Sequence, residues 1–206
     1  QIARALAAAG RRVGVYKPAA SGCRLVEGKL LSDDALALWE AAGRPGELEQ
    51  VCPQRFAAPL APHLAARAEG REVDAALLRR GLDPWLACSD VVIVEGAGGL
   101  LSPLTDDEYV ADLAADFGFP LVVVAANVLG TIHQALAALV VAATFRNGLD
   151  VAGVVLNQPI PQPPDASCSS NLDELRSRCV PPVLASVGWQ DGESLAAIDW
   201  LGLTTM

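Results

Sequence analysis

The sequence predicts an α/β fold, a mostly parallel β-sheet covered by helices on both faces. Three observations carry that expectation. Short runs that are apolar at every position, such as Val91 to Val94 and Leu121 to Ala126, have strand length and no polar face. They alternate with segments of helical period. Hydrophobic residues make up 52% of 206 residues, enough for one sizeable core. One domain spanning residues 1–206 is therefore expected.

QIARALAAAG reads as a helix with Ile2 and Leu6 on its apolar face and Gly10 as its stop. Val13 to Lys17 reads as a strand ended by Pro18. Asp33 to Ala42 is a helix with Ser32 as N-cap. Pro53 to Pro62 is proline-rich and irregular. Val73 to Ala87 is helical, with a break or kink at Pro84. Asp90 to Val94 is the next strand, and a helix covers Asp107 to Phe117. After the strand Leu121 to Ala126, Thr131 caps a helix from Ile132 to Arg146 that Gly148 closes. Val151 to Leu156 is a strand, and Gln158 to Ser170 a loop rich in Pro and Ser. Asn171 to Arg178 is a short helix and Val183 to Val187 a last strand.

In parallel sheets ligands bind beyond the carboxyl ends of the strands. Lys17, Glu95, Asn127 and Asn157 each follow or close a strand, so they are expected on one edge. Glu95 leads straight into Gly96, Gly98 and Gly99, which let backbone N–H groups approach a phosphate. A carboxylate there suits Mg²⁺, a hard cation held by one or two carboxylates plus phosphate oxygens. The plain alternative is an acid that merely reaches solvent. Lys17 is one of only two lysines, fixed by Pro18 and followed by the small-residue turn to Ser21 and Gly22. Its ammonium is expected to reach the solvent edge and neutralise an anion. Asp33 and Asp34 open a helix, where acids favour the dipole; a second metal carboxylate is the alternative. His63 and His133 are expected to be structural.

The net charge of −9 speaks against nucleic-acid binding. No uncharged apolar run reaches the roughly 18 residues of a membrane helix, and no secretory signal opens the chain. Five cysteines without CxxC spacing read as reduced thiols in a cytoplasm.

The segments VGVYKPAASG, SDDALAL, FAAPLAPHLAARAEGREV, VVIVEGAGGLLSPL, NVLGTIHQALAAL and VAGVVLN occur in this order. Together they resemble the dethiobiotin synthetase family of the P-loop NTPase superfamily, over roughly Gln1 to Trp189. The resemblance implies a homodimeric, ATP- and Mg²⁺-dependent cyclo-ligase. Its substrates are 7,8-diaminononanoate (diaminopelargonate), CO₂ and ATP. A carbamate forms on one amine, ATP phosphorylates it, and the second amine displaces phosphate to close the ureido ring.

Residue by residue, the resemblance makes Lys17 the catalytic lysine that holds the carbamate and the transferring phosphoryl group. It makes Ser21 a substrate-binding serine and Asp34 and Glu95 the metal carboxylates, Asp33 being the weaker match. Gly96, Ala97 and Gly98 become the nucleotide loop. Asn157, with Gln158 beside it, corresponds to the adenine reader, and Val187, Gly188 and Trp189 to the adenine-side loop, although Gly188 stands where the family has proline. Leu129, Gly130, Thr131 and Ile132 match the helix start that receives the substrate carboxylate from across the dimer. The Gln158 to Ser170 loop matches poorly.

The family opens with a strand and a G-x-x-x-x-G-K-[ST] loop, which is absent from this sequence; Gly28-Lys29-Leu30 comes nearest. The chain is expected to be an N-terminally shortened piece of an ordinary synthetase, rather than one that has lost catalysis. A nucleotide-switched regulatory ATPase of the same superfamily, or a noncatalytic binding protein, is the runner-up. The KPxxSG segment and the paired acids suit the ligase better.

Overall fold

A computed structural model describes residues 1–161 and 165–204. Its residues fall into two compact units, Ala3–Phe117 with Gln1, and Gly118–Met206 with Ile2. Each has its own parallel strands, and the fold is α/β throughout.

In the first unit α1 (Ile2–Ala8) is followed by Gly10 at φ 77°, the left-handed residue that stops a helix at little steric cost. β1 (Val13–Tyr16) is buried along its length. Next come β2 (Ala19–Ala20), the antiparallel hairpin β3 (Arg24–Val26) and β4 (Lys29–Leu31), α2 (Asp33–Ala41) and α3 (Leu48–Val51). β5 (Gln54–Arg55), α4 (Pro62–Ala68), α5 (Ala75–Arg80), α6 (Asp83–Cys88), β6 (Val91–Val94) and α7 (Val110–Phe117) complete the unit. β1 pairs in parallel with β6, Val13 opposite Val91 and Tyr16 opposite Val94. The hairpin was not foreseen. Its turn is Glu27–Gly28, both at positive φ, which suits the twist of a two-residue hairpin. Gly28 thus belongs to a hairpin turn and Lys29 opens β4, so this segment is not a phosphate loop.

The ladder is pinned at its entrance. Arg12 donates its backbone N–H to Asp90 at 2.9 Å and its Nε to the same carboxylate at 3.0 Å, while Asp90 N–H returns a bond to Arg12 O. Further along, Tyr16 is fully buried and its hydroxyl donates towards the carbonyls of Leu77 and Leu78 in α5. Gly81 makes room for that hydroxyl, because a Cβ there would collide with it. Beneath, Ala19, Leu78, Leu104 and Leu113 form one core cluster, and Phe56, Ala65 and Ala66 another.

In the second unit β7 (Leu121–Ala126), β8 (Val151–Asn157) and β9 (Val183–Val187) make a parallel sheet in that order. α8 (Thr131–Thr144), α9 (Asn171–Arg178) and α10 (Glu193–Ala196) accompany it, with a 3₁₀ turn at Ala166–Ser169. Ala125, Ala135, Leu156 and Leu175 knit strands to helices.

Several boundaries differ from the sequence reading. Pro84 does not kink one helix; it sits in the first turn of α6, where its missing N–H costs nothing, and the break falls at Gly81–Leu82. Thr131 is the first residue of α8 and not its cap. The cap is Gly130 at φ 92°, a conformation open to glycine. α8 also stops at Thr144, before Gly148. The stretch read as irregular holds β5 and the first residue of α4, Pro62. The Gln158 to Ser170 loop lies partly outside the described residues.

Candidate functional site

The first unit brings Lys17, Asp34 and Glu95 together. Lys17 follows β1 directly, and its backbone N–H is held by Val51 O at 2.8 Å. Glu95 follows β6, and Glu95 N–H bonds Tyr16 O at 2.9 Å, so the parallel ladder runs one step past the strands. Its side chain therefore emerges beside Lys17. Asp34 comes from the first turn of α2, which Ser32 caps by accepting from Ala35 N–H at 3.2 Å. Asp33 turns the other way and pairs with Arg24 at 2.7 Å.

Lys17 Nζ lies 2.7 Å from Glu95 Oε1, 3.3 Å from Asp34 Oδ2 and 3.1 Å from Gly96 O. The expectation that this lysine reaches solvent is wrong, since it is only 3% exposed. Pro18 and the pairing of Ala19–Ala20 with Gln54–Arg55 fold the following chain over it. Burial by itself drives the ammonium towards neutrality, but attraction to Glu95 and then Asp34 outweighs it, and the pKa is raised. Lys17 stays a cation, and its two carboxylates remain about half exposed.

Lys17 and Asp34 border a cavity of about 390 Å³, whose other lining residues are Ala20, Ser21, Leu60, Ala61, Pro62, Ala97, Gly98, Ser102 and Pro103. The glycine loop is tight. A Cβ on Gly96 would come within 2.9 Å of Val110 Cγ1, and one on Gly98, at φ 84°, would overlap Ser102 Oγ. Ser102 is the lining hydroxyl that the sequence reading passed over. The signal was there, as a Ser-Pro pair closing the glycine segment. Arg67 in α4 forks onto Asp106 at 2.7 and 2.9 Å, tying α4 to the loop that carries Ser102 and Pro103.

Among the described residues no group of three or more His, Cys, Asp or Glu is placed to hold a metal ion. Asp34 on the cavity wall and Glu95, both within reach of Lys17 Nζ and both open to solvent, nonetheless fit Mg²⁺, which completes its shell with phosphate oxygens and water.

The second unit brings the other strand ends together. Asn127 N–H bonds Asn157 O at 2.7 Å, and Gln158 N–H bonds Val187 O at 2.8 Å beside the Asn157–Val187 register pair. Asn157, Gln158 and Val187 therefore adjoin, and Gly188 and the half-exposed Trp189 follow directly. The Asn127 side chain is committed to structure. Its Oδ1 accepts from the buried Asn171 at 2.8 Å, and its Nδ2 donates to Cys168 O at 3.3 Å. Leu129, Gly130, Thr131 and Ile132 form the head of α8, where Asp165 Oδ2 accepts from Leu129 N–H at 3.1 Å. Asp165 also takes a very short bond from Ser167 Oγ, and these bonds, Ser167 first, hold its pKa below the usual carboxylate range. Thr131 is fully buried, and its hydroxyl has no hydrogen-bond partner among the described residues.

A family model described as an AAA domain matches residues 1–194, which accounts for the P-loop NTPase type of α/β fold. Two relatives are named ATP-dependent dethiobiotin synthetase BioD. The protein of Rhodopirellula baltica is 43% identical over 194 residues, covering 89% of this chain and 75% of the relative. That of Anaeromyxobacter dehalogenans strain 2CP-C is 45% identical, covering 92% and 84%. The chain belongs to the ATP-dependent dethiobiotin synthetase family. Salmonella typhi has a further member, ATP-dependent dethiobiotin synthetase BioD 1, at 37% identity over 174 residues. Dethiobiotin synthetases are ligases, so the cavity beside Lys17 is a candidate active site of an enzyme. No helix among the described residues is long and apolar enough to cross a membrane.

Proposed function

We propose that a protein carrying this sequence together with a phosphate-binding loop closes the ureido ring of dethiobiotin from 7,8-diaminononanoate and CO₂, with ATP consumed to ADP and phosphate and Mg²⁺ required. The observation that carries the reading is the buried Lys17 ammonium at the wall of a cavity, set between Asp34, which shares that wall, and Glu95. The reaction gathers negative charge twice, first on the carbamate and then on the phosphoryl group passing to it. A fixed cation in a poorly hydrated site stabilises such charge without reorganising. Lys17 fits that task, and Glu95, Asp34 and Gly96 O hold its ammonium in place. Ser21 supplies a hydroxyl to the substrate. Gly96, Ala97 and Gly98 are assigned to the phosphates, where a glycine loop lets main-chain N–H groups come close to an anion.

Asp34 and Glu95 are the residues that would hold Mg²⁺. When bound, the ion supplies positive charge to the phosphate oxygens. With Asp34 and Glu95 engaged in that way, their hold on Lys17 would slacken, and its ammonium would be free to face the incoming anion.

The head of α8 at Leu129 to Ile132 is assigned the substrate carboxylate, across a homodimer. A helix N-terminus favours an anion, in keeping with the Asp165 carboxylate that accepts from Leu129 N–H at this helix head. Asn157 with Gln158, and Val187, Gly188 and Trp189, are assigned the adenine, in keeping with their adjacency at the ends of β8 and β9. A cytoplasmic location suits the five free cysteines.

The test is incorporation of label from bicarbonate into the ureido product, run with ATP, Mg²⁺ and diaminononanoate. Product must depend on all three, and Glu95→Gln should cut turnover about a hundredfold or more and raise the Mg²⁺ requirement. Nucleotide hydrolysis with no labelled ring would overturn the ligase reading. Normal turnover of Glu95→Gln at limiting Mg²⁺ would remove Glu95 from the mechanism.

A further inference from the structure

A second cavity in the first unit, of about 340 Å³, shares no lining residue with the first. It is lined by Lys29, Leu30, Glu49, Pro53, Arg55 and Arg71. The chain carries 15 cationic against 24 acidic residues, so three cations around one cavity run against its composition. Their bonding is unequal. Lys29 Nζ reaches Glu49 only at 3.5 Å. Arg71 has its guanidinium over the Phe56 ring, 5.0 Å from the centroid, with Nη1 at 3.1 Å from Glu69 Oε2. Glu69 is itself fixed, since its Oε1 accepts from Ala57 N–H at 2.6 Å. The half-buried Arg55 side chain has no ion pair and no hydrogen bond among the described residues. Two carboxylates, Glu49 and Glu69, thus stand against three cations, and Arg55, which Glu49 attracts only from a distance, is the one without a direct ion pair among the described residues.

We propose that this cavity is a binding site for a small phosphate-type anion, separate from the site at Lys17. Arg55 is the fork for two phosphate oxygens, the geometry in which guanidinium and phosphate match best. Arg71 is held ready by Phe56 and Glu69 and offers its remaining N–H groups. Lys29 stands on the hairpin as a flexible point charge at the rim. The opening is large enough for a free phosphate and for the terminal phosphate of a small ester.

The experiment is calorimetric titration of the whole protein with inorganic phosphate, and in a second arm with glycerol 3-phosphate. It is repeated on Arg55→Gln, Lys29→Gln and Lys17→Gln. The expected result is saturable binding that Lys17→Gln leaves intact and Arg55→Gln weakens about tenfold or more, the scale of one lost charge-assisted pair. Lys29→Gln should weaken it about threefold. A preference for glycerol 3-phosphate marks an esterified ligand, and equal affinity marks the free ion. Lys29 is 80% exposed at its side chain, so its variant keeps the test alive should Arg55→Gln fail to fold. Binding lost in Lys17→Gln and retained in both cavity variants would assign the anion to the first cavity and overturn the proposal. So would the absence of saturable binding at millimolar phosphate.

Discussion

Lys17 shows where residue-scale reasoning from sequence succeeds and where it stops. That it stands beside Glu95 was legible, because each follows an all-apolar strand and parallel neighbours end together. That it is buried was not, because burial depends on the chain from Ala19 to Arg55 closing over it, and such a long-range pairing leaves no local mark. The difference changes the expected cost of mutation. Lys17→Gln removes the cation between two carboxylates that remain 46% and 66% exposed. A fully buried pair loses about 3–5 kcal/mol when one partner goes, and solvent at Glu95 and Asp34 should reduce this to about 1–2 kcal/mol. Turnover should fall about a hundredfold or more as well. Thermal unfolding and steady-state ligase kinetics on one preparation check both. A variant as stable and as active as the parent would leave Lys17 without either role.

At the scale of elements, the strands and the longer helices were readable because each has a period or an unbroken apolar run. β7, α9 and β9 fall where the sequence places them. The hairpin β3–β4 was missed since three-residue strands have no period to read, although Glu27–Gly28 was a usable turn signal. Register, too, is fixed by contacts far apart in sequence. Arg12 and Asp90 bind at the point where β1 and β6 begin. Hydrogen bonds from the Arg12 side chain, then from its backbone N–H, hold the Asp90 carboxyl down at about 2, from an ordinary 3.8. A lowered carboxyl pKa stabilises the fold above the unfolded value and ceases to do so as pH falls through the folded one. The Arg12–Asp90 contribution should therefore be intact above about pH 4 and fade between about pH 4 and 2. Asp90→Asn should be less stable than the parent at neutral pH, and the gap should close across that window. Urea midpoints at stepped pH measure it; a gap constant from pH 7 to 2 would mean that Asp90 acts only through shape.

For the whole molecule, the alternation of all-apolar runs with helical segments already gave the α/β class. The arrangement of strands in two units, and the commitment of the Asn127 side chain to its own loop, needed coordinates. One property spans both units, the reactivity of five thiols. Cys88 is exposed, Cys168 and Cys179 are intermediate, and Cys23 and Cys52 are buried. Burial pushes Cys52 up to about 12 and raises Cys23, so neither supplies thiolate at neutral pH. An aromatic disulfide reagent should therefore titrate Cys88 first, Cys168 and Cys179 more slowly, and Cys23 and Cys52 only with unfolding. Five thiols reacting in one fast phase would contradict the packing around Cys52. The same packing sets a limit on how this sequence can drift. Gly81 ends α5 at an ordinary helical φ of −65°, where alanine is by backbone criteria the better residue. Yet a methyl group there would strike the Tyr16 hydroxyl, and Tyr16 is the immediate neighbour of Lys17. A change that helps a helix would thus be felt as a displaced ammonium. Gly81, though it lines no cavity, stands among the positions least free to vary.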